Sequence, residues 1–278
     1  MPAPDFPLHI IALSAVGLLV TGAIAGTLAG LLGVGGGIVI VPVLFWLLGF
    51  LGYDPALIMH LAVGTSLATI IPTSISSMRA HAKKGAVDID LLKRWGPMIV
   101  IGAALGGISS KFIDAAGLKF IFGFFALAVS VNMVLPKPLK IRDDLPESPL
   151  AHGSIAGIIG YFSSLMGIGG GTFSVPTLTA FSFPIHRAVG TASAIGLMIA
   201  LPAVIGFIWA GVGVENRPPL SFGYLNVAAA VIIFPITVLF APFGARLAHS
   251  LDPKGLKRAF ALFLAITASR MLYSAFTV

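Results

Sequence analysis

The sequence predicts an all-α integral membrane protein built as an inverted-topology internal repeat. Three observations carry that expectation. Apolar residues make up 57% of the 278-residue chain and charged residues only 10%, whereas a soluble domain carries about 25% charged residues. The apolar residues gather into long runs separated by short polar connections. The two halves of the chain resemble each other, while the positive charge of their equivalent loops alternates.

The first observation fixes the solvent. A globule of this length has too little interior to hide so much apolar side chain, and a bilayer is the medium that fits. The net charge of +7 falls in the connections, where it acts as a topology signal. No basic face with interleaved aromatics is present, so a nucleic-acid partner is not expected. Cysteine is absent, which excludes disulfides and thiol chemistry.

The runs come next. They lie at about 8–33, 36–51, 57–78, 95–112, 116–135, 151–167, 170–183, 187–212, 222–248 and 256–277. A helix needs about 20 residues to cross the hydrocarbon core. Runs 57–78, 95–112, 116–135, 187–212, 222–248 and 256–277 have that length or nearly so. The pairs 8–33 with 36–51 and 151–167 with 170–183 are each divided by glycines. This gives about eight to ten hydrophobic elements, with glycine-broken hairpins at the centre. The stretch before residue 8 holds Asp5 and no basic residue. It is not patterned like a cleaved secretory signal, so the run from residue 8 is read as the first membrane segment.

The repeat rests on three matches in the same order. Gly33-Val-Gly-Gly-Gly-Ile-Val-Ile-Val-Pro42 pairs with Gly167-Ile-Gly-Gly-Gly-Thr-Phe-Ser-Val-Pro176. Ala62-Val-Gly-Thr65 pairs with Ala188-Val-Gly-Thr191. Asp114 through Lys119 pairs with Asp252 through Lys257. The division is 1–135 for the first membrane repeat, 136–149 for a proline-rich polar linker and 150–278 for the second repeat. Arg79, Lys83, Lys84, Lys93 and Arg94 crowd one loop of the first half, and the next loop has only Lys111 and Lys119. In the second half Arg217 is balanced by Glu215, and the following loop holds Arg246, Lys254, Lys257 and Arg258. Equivalent loops then lie on opposite faces, the linker with Lys137, Lys140 and Arg142 lies inside, and both termini lie outside. Inverted repeats of this kind are common among secondary transporters.

The candidate site follows from the breaks. Unpaired backbone is tolerated in hydrocarbon only where protein buries it or a cavity is lined by it. Paired breaks near mid-membrane are the strongest sequence pointer to a transporter's binding site. New helices beginning near Gly36 and Gly170 would present free amides and a positive dipole end, which favour an anion. The substrate-binding candidates are therefore Gly33, Gly35, Gly36, Gly37, Gly167, Gly169, Gly170 and Gly171. The hydroxyls of Thr65, Ser66, Thr191 and Ser193 join them, because a hydroxyl can donate to an oxyanion without a fixed charge. Close helix packing and back-bonding to the helix are the alternative uses of these residue types. His60 and His186 align between the halves, with Arg187 beside the second; they are candidates for a gate or proton relay, or for interfacial capping. No Asp or Glu lies deep in an apolar run. Nothing resembles a catalytic constellation, a metal site or a cofactor motif, so neither an enzyme nor a cofactor is expected.

The duplicated Gly-Val/Ile-Gly-Gly-Gly-x-x-x-Val-Pro, followed in each half by Ala-Val-Gly-Thr, resembles the TauE/SafE family of sulfite exporters. The resemblance runs from about residue 14 to 277. One departure is a connection between the two motifs that is eight residues longer in the first half, 20 positions from Pro42 to Ala62 against 12 from Pro176 to Ala188. The resemblance implies a multi-pass carrier of the plasma (inner) membrane that exports a small sulfur-containing anion, such as sulfite or sulfoacetate. Its expected partners are that anion and the lipid bilayer. An anion channel of the same architecture is the rival reading, and the sequence does not set the oligomeric state.

Overall fold

The computed structural model describes residues 7–134, 140–146, 148–248 and 254–277. Among them are α1 (Leu8–Leu32), α2 (Gly37–Phe50), α3 (Pro55–Ala82), α4 (Ile89–Ser109, extended by a 3-10 turn at Ser110–Phe112) and α5 (Ala115–Val134). The second half holds α6 (Pro149–Met166), α7 (Gly171–Ala180), α8 (Ile185–Ala210), α9 (Val227–Ala248) and α10 (Lys254–Phe276). A short hairpin, β1 (Ser221–Phe222) and β2 (Leu225–Asn226), precedes α9.

Local sequence sets the helix ends. Asp54 precedes Pro55 and accepts the Ala56 amide at 2.9 Å, which starts α3. Asp88 accepts the Leu91 amide at 2.9 Å and starts α4. Asn226 accepts the Ala229 amide at 2.9 Å and starts α9. Short polar side chains satisfy the first orphan amides in this way. α1 and α6 end on Gly33 and Gly167, at φ 69° and 66°, a left-handed cap in which glycine suffers no Cβ clash.

Among the described residues, six helices are long and apolar enough to cross a membrane: α1, α3, α4 with its 3-10 turn, α5, α8 and α9. α1 covers the first apolar run and ends at the expected glycine break. It stays helical for 25 residues and breaks only at Gly33. Its internal glycines serve contact instead: a Cβ on Gly26 would stand 2.6 Å from the Thr237 carbonyl of α9. Small residues allow membrane helices this approach. The last run forms α10, 23 residues long.

α2 and α7 are short, 14 and 10 residues. At 1.5 Å per residue they reach roughly 21 and 15 Å, short of a hydrocarbon core of about 30 Å. The longer first-half connection seen in the sequence is taken up partly by the extra turn of α2. α3 and α8 run antiparallel through the middle: Ser77 late in α3 meets Ser193 early in α8 at 3.0 Å. Gly64 early in α3 faces Phe207 late in α8. The starts of α3 and α8 therefore lie at opposite ends, and so do the ends of α2 and α7 that lead into them.

α3 is the central element, with 78% of its most apolar window buried, against 22% for α1. α1 packs on α9, α4 on α6 and α8, α3 on α8 and α9, and α5 on α10. Large apolar side chains such as Leu13, Val16, Ile101, Leu105, Val231 and Leu239 point outward, as a lipid-facing surface requires. The described part of the linker docks on the end of α7, where the Ile141 amide donates to the Ala180 carbonyl at 2.7 Å. Pro136, Lys137, Pro138 and Asp252, and the side chains of Lys254, Lys257 and Arg258, lie outside the described residues.

Candidate functional site

The two glycine breaks meet. The Gly169 amide donates to the Val34 carbonyl at 3.0 Å, and the Gly171 amide donates to the Gly33 carbonyl at 3.1 Å. A Cβ on Gly35 would stand 2.9 Å from the Gly169 Cα, and one on Gly169 would stand 2.6 Å from the Val34 oxygen. A Cβ on Gly37 would strike the Gly167 carbonyl, and one on Gly171 would strike Gly33. Backbone packs on backbone here, which is why glycine occupies these positions. α2 and α7 begin at the breaks, with Gly36 and Gly170 as the residues before them. The eight glycines named from the sequence thus form one cluster at the middle of the bundle.

Ser66 ties the cluster to α3. Its hydroxyl donates to the Gly167 carbonyl at 2.7 Å and so bridges the halves. Ser193 lies one level away: it donates to Val189 of its own helix at 3.2 Å and meets Ser77 of α3 at 3.0 Å.

Thr65 and Thr191 do something the sequence did not foreshadow. The Thr65 hydroxyl accepts the Asn226 amide at 2.9 Å, and the Thr191 hydroxyl accepts the Asp88 amide at 2.9 Å. Asn226 and Asp88 are the residues that start α9 and α4. The glycine before each threonine admits the same incoming segment: a Cβ on Gly64 would strike the Tyr224 carbonyl, and one on Gly190 the Ala86 carbonyl. Each Ala-Val-Gly-Thr therefore grips the other half of the chain, two residues beyond the close approach. Asp88 and Asn226 escaped the sequence reading because the segments that carry them differ in length. The available signal was their N-cap chemistry, a short polar residue ahead of an apolar run.

The aligned histidines occupy different surroundings. His60 is buried, and its Nε2 lies 2.9 Å from the Ile113 carbonyl and 3.2 Å from the Ser110 carbonyl. Carbonyls only accept, so Nε2 carries the proton. The ring also lies 4.7 Å from that of Tyr224, in the segment that Thr65 holds. His186 and Arg187 are exposed on the first turn of α8. Arg187 reaches Asp88 at 2.6 Å and covers the Phe183 ring, so the grip on that side carries an ion pair. Among the described residues no three His, Asp or Glu side chains gather into a metal-binding group.

A bundle with six spanning-length helices, and paired breaks meeting at its middle, has the form of a multi-pass membrane transport protein. The chain belongs to the sulfite exporter TauE/SafE family, whose profile matches residues 18–271. It is 35% identical over 255 residues to a probable membrane transporter protein of Haemophilus influenzae, covering 91% of this chain and 96% of the relative. It is 28% identical to a probable membrane transporter protein of Methanocaldococcus jannaschii, over 92% of this chain and 94% of that one. Probable membrane transporter protein YunE of Bacillus subtilis is also 28% identical, over 94% and 98%. No solved structure matches the chain.

Proposed function

We propose that this protein exports a small sulfur-containing anion, sulfite or an organosulfonate such as sulfoacetate, across the plasma membrane by alternating access. The observation that carries the reading is the meeting of the two glycine breaks through the Gly169–Val34 and Gly171–Gly33 hydrogen bonds. Two helix N-termini converge there, and converging N-termini favour an anion. Each contributes at most about 2 kcal/mol in partly buried geometry, which suits binding loose enough for release. The family description supplies the sulfur chemistry. A negative cell interior favours the outward movement of anions.

An inverted repeat is the architecture in which this mechanism works, and the packing supports it. When α1–α5 are laid on α6–α10, the α1/α9 contact has its counterpart in α6/α4, the α3/α9 contact in α8/α4, and the α2/α3 contact in α7/α8. The grips of Thr65 on Asn226 and Thr191 on Asp88 are likewise counterparts. With α3 and α8 antiparallel, these grips lie toward opposite ends of the bundle. Releasing one while holding the other would open one face at a time. Pro72, Pro202 and Pro235 lie inside α3, α8 and α9, where proline removes a helix hydrogen bond and permits bending.

The sealed centre favours a carrier over a channel. Backbone fills the space between the breaks, so an anion reaches the helix starts only after they part. The test is flux in proteoliposomes loaded with sulfite or sulfoacetate. Saturable efflux with counterflow, and no unitary currents in a planar bilayer, is the expected outcome. Unitary anion currents would convert the assignment to a channel. Efflux of neither sulfur anion, from protein shown to be folded, would remove the substrate assignment.

A further inference from the structure

We propose that the anion, drawn to the two helix starts, is held asymmetrically: its side-chain donors all lie on the α7 side, the hydroxyls of Ser74, Ser163 and Thr172. This rests on the anion-transporter reading above and names the residues that receive the anion.

The breaks have nearly the same sequence but different polar surroundings. Ser74 on α3 is 1% exposed, Thr172 on the first turn of α7 is 2% exposed, and Ser163 on the last turn of α6 is fully buried. None of these three hydroxyls has a hydrogen-bond partner. Ser74 shares the bare surface of Gly196 with the helix start: a Cβ on Gly196 would stand 2.7 Å from the Ser74 Oγ and 3.5 Å from the Gly170 nitrogen. A buried hydroxyl without a partner is costly, and most buried side-chain polar groups avoid that state. Three of the four unpartnered buried hydroxyls among the described residues lie around this one break.

The counterparts in the first half carry no hydroxyl at all. In the repeat alignment Ser163 pairs with Ala29, Thr172 with Ile38 and Ser74 with Ala200. The hydroxyl beside the start of α2, that of Ser66, is already committed to the Gly167 carbonyl, whereas those near the start of α7 have no partner. Hydroxyls can donate or accept, but helix-start amides only donate. A ligand that suits both is an acceptor with several oxygens and negative charge, as a sulfonate or sulfite head group is. A cation would meet the positive end of the α7 dipole. Gly196, against the Ser74 hydroxyl, keeps the wall of this site bare of side chain.

The experiment uses the full-length protein in detergent, with sulfoacetate and sulfite as probes and sodium chloride at matched ionic strength as control. Binding is read by titration calorimetry and by the concentration-dependent rise in Tm that a ligand of the folded state produces. Ser74→Ala, Ser163→Ala and Thr172→Val should each weaken binding about tenfold or more, the scale of one hydrogen bond to a charged group. Thr172→Ser should bind like the parent, and so should Ile38→Val at the mirrored place. The ligand-free Tm of Ser74→Ala and Thr172→Val should match or exceed that of the parent, because an unpartnered hydroxyl is removed. Binding by the parent with undiminished binding by all three hydroxyl variants would overturn this assignment and leave the transporter reading intact. A lowered ligand-free Tm would reveal a structural partner and also overturn it. A sodium-dependent rise in Tm, abolished by the same variants, would replace the anion with a cation. If the parent binds neither probe, the anion reading itself fails and this inference falls with it.

Discussion

The two glycine breaks share the pattern Gly-Val/Ile-Gly-Gly-Gly, yet the backbone treats them differently. In the first, Gly33, Gly35 and Gly36 all take left-handed conformations, at φ 69°, 71° and 79°. In the second, only Gly167 does, at φ 66°, while Gly170 is helical at φ −56°. The first break uses glycine for its conformational freedom, and the second uses it mainly for space. One motif can thus be retained at two places for two physical reasons. Around it, the buried hydroxyls without a partner, Ser74, Ser163 and Thr172, belong to the second side.

Substitution separates these reasons, and the largest effect belongs to the break itself. Gly36→Ala combines a left-handed φ with a Cβ 2.8 Å from the Ala25 carbonyl oxygen. Strain of this kind costs about 1–3 kcal/mol before any clash is counted. In Gly170→Ala the new Cβ strikes first the Ile195 Cγ2, which trimming removes; the Ile195 Cβ at 2.8 Å and the Gly196 nitrogen at 2.9 Å would remain. We expect Ile195→Ala to recover part of the Tm lost in Gly170→Ala. Trimming Ala25 to glycine should leave Gly36→Ala unrecovered, because the obstacle there is backbone. Equal rescue in the two double-mutant cycles would show that the breaks are alike after all.

The next effect tests the reciprocity of the grips. Thr65→Val and Thr191→Val each strand a backbone amide, on Asn226 or Asp88. The expected loss is about 1–3 kcal/mol for each, read as a shift in unfolding midpoint. A much larger loss in one would mean that a single grip carries the assembly. The smallest effect is Arg187→Ala. Its ion pair with Asp88 has an arginine side chain 51% exposed, so screening holds the contribution to about 0.2–1 kcal/mol. That loss should shrink further in high salt.

Much of this molecule was legible in the chain. Hydropathy marked the membrane runs, because a bilayer imposes a length and a polarity that leave a plain trace. The helix starts expected near Gly36 and Gly170 appear there, because free amides at a helix start need a residue that lets other backbone come close. α1 ends at Gly33, where the sequence places the break, but the surface its internal glycines pack against was not legible. Whether glycine breaks a helix depends on its neighbours, and α9 supplies them for Gly26.

The roles of single side chains were harder to read. The sequence names Ser66 as a substrate-binding candidate, and in the fold its hydroxyl donates to the Gly167 carbonyl of the second break. Thr65 and Thr191 were named for the same role, but their hydroxyls accept the amides that begin α9 and α4. His60 and His186 align, yet one is buried beneath Tyr224 and the other is exposed.

The sequence alone determined the solvent, the helical class and the place of the breaks. These are properties of composition and periodicity, which act along the chain. The tertiary structure decided which break needs left-handed backbone, which half each threonine grips, and which hydroxyls are left without partners. Those depend on surfaces brought together from more than 100 residues apart, as Ser66 and Gly167 are, and no local pattern encodes such distances.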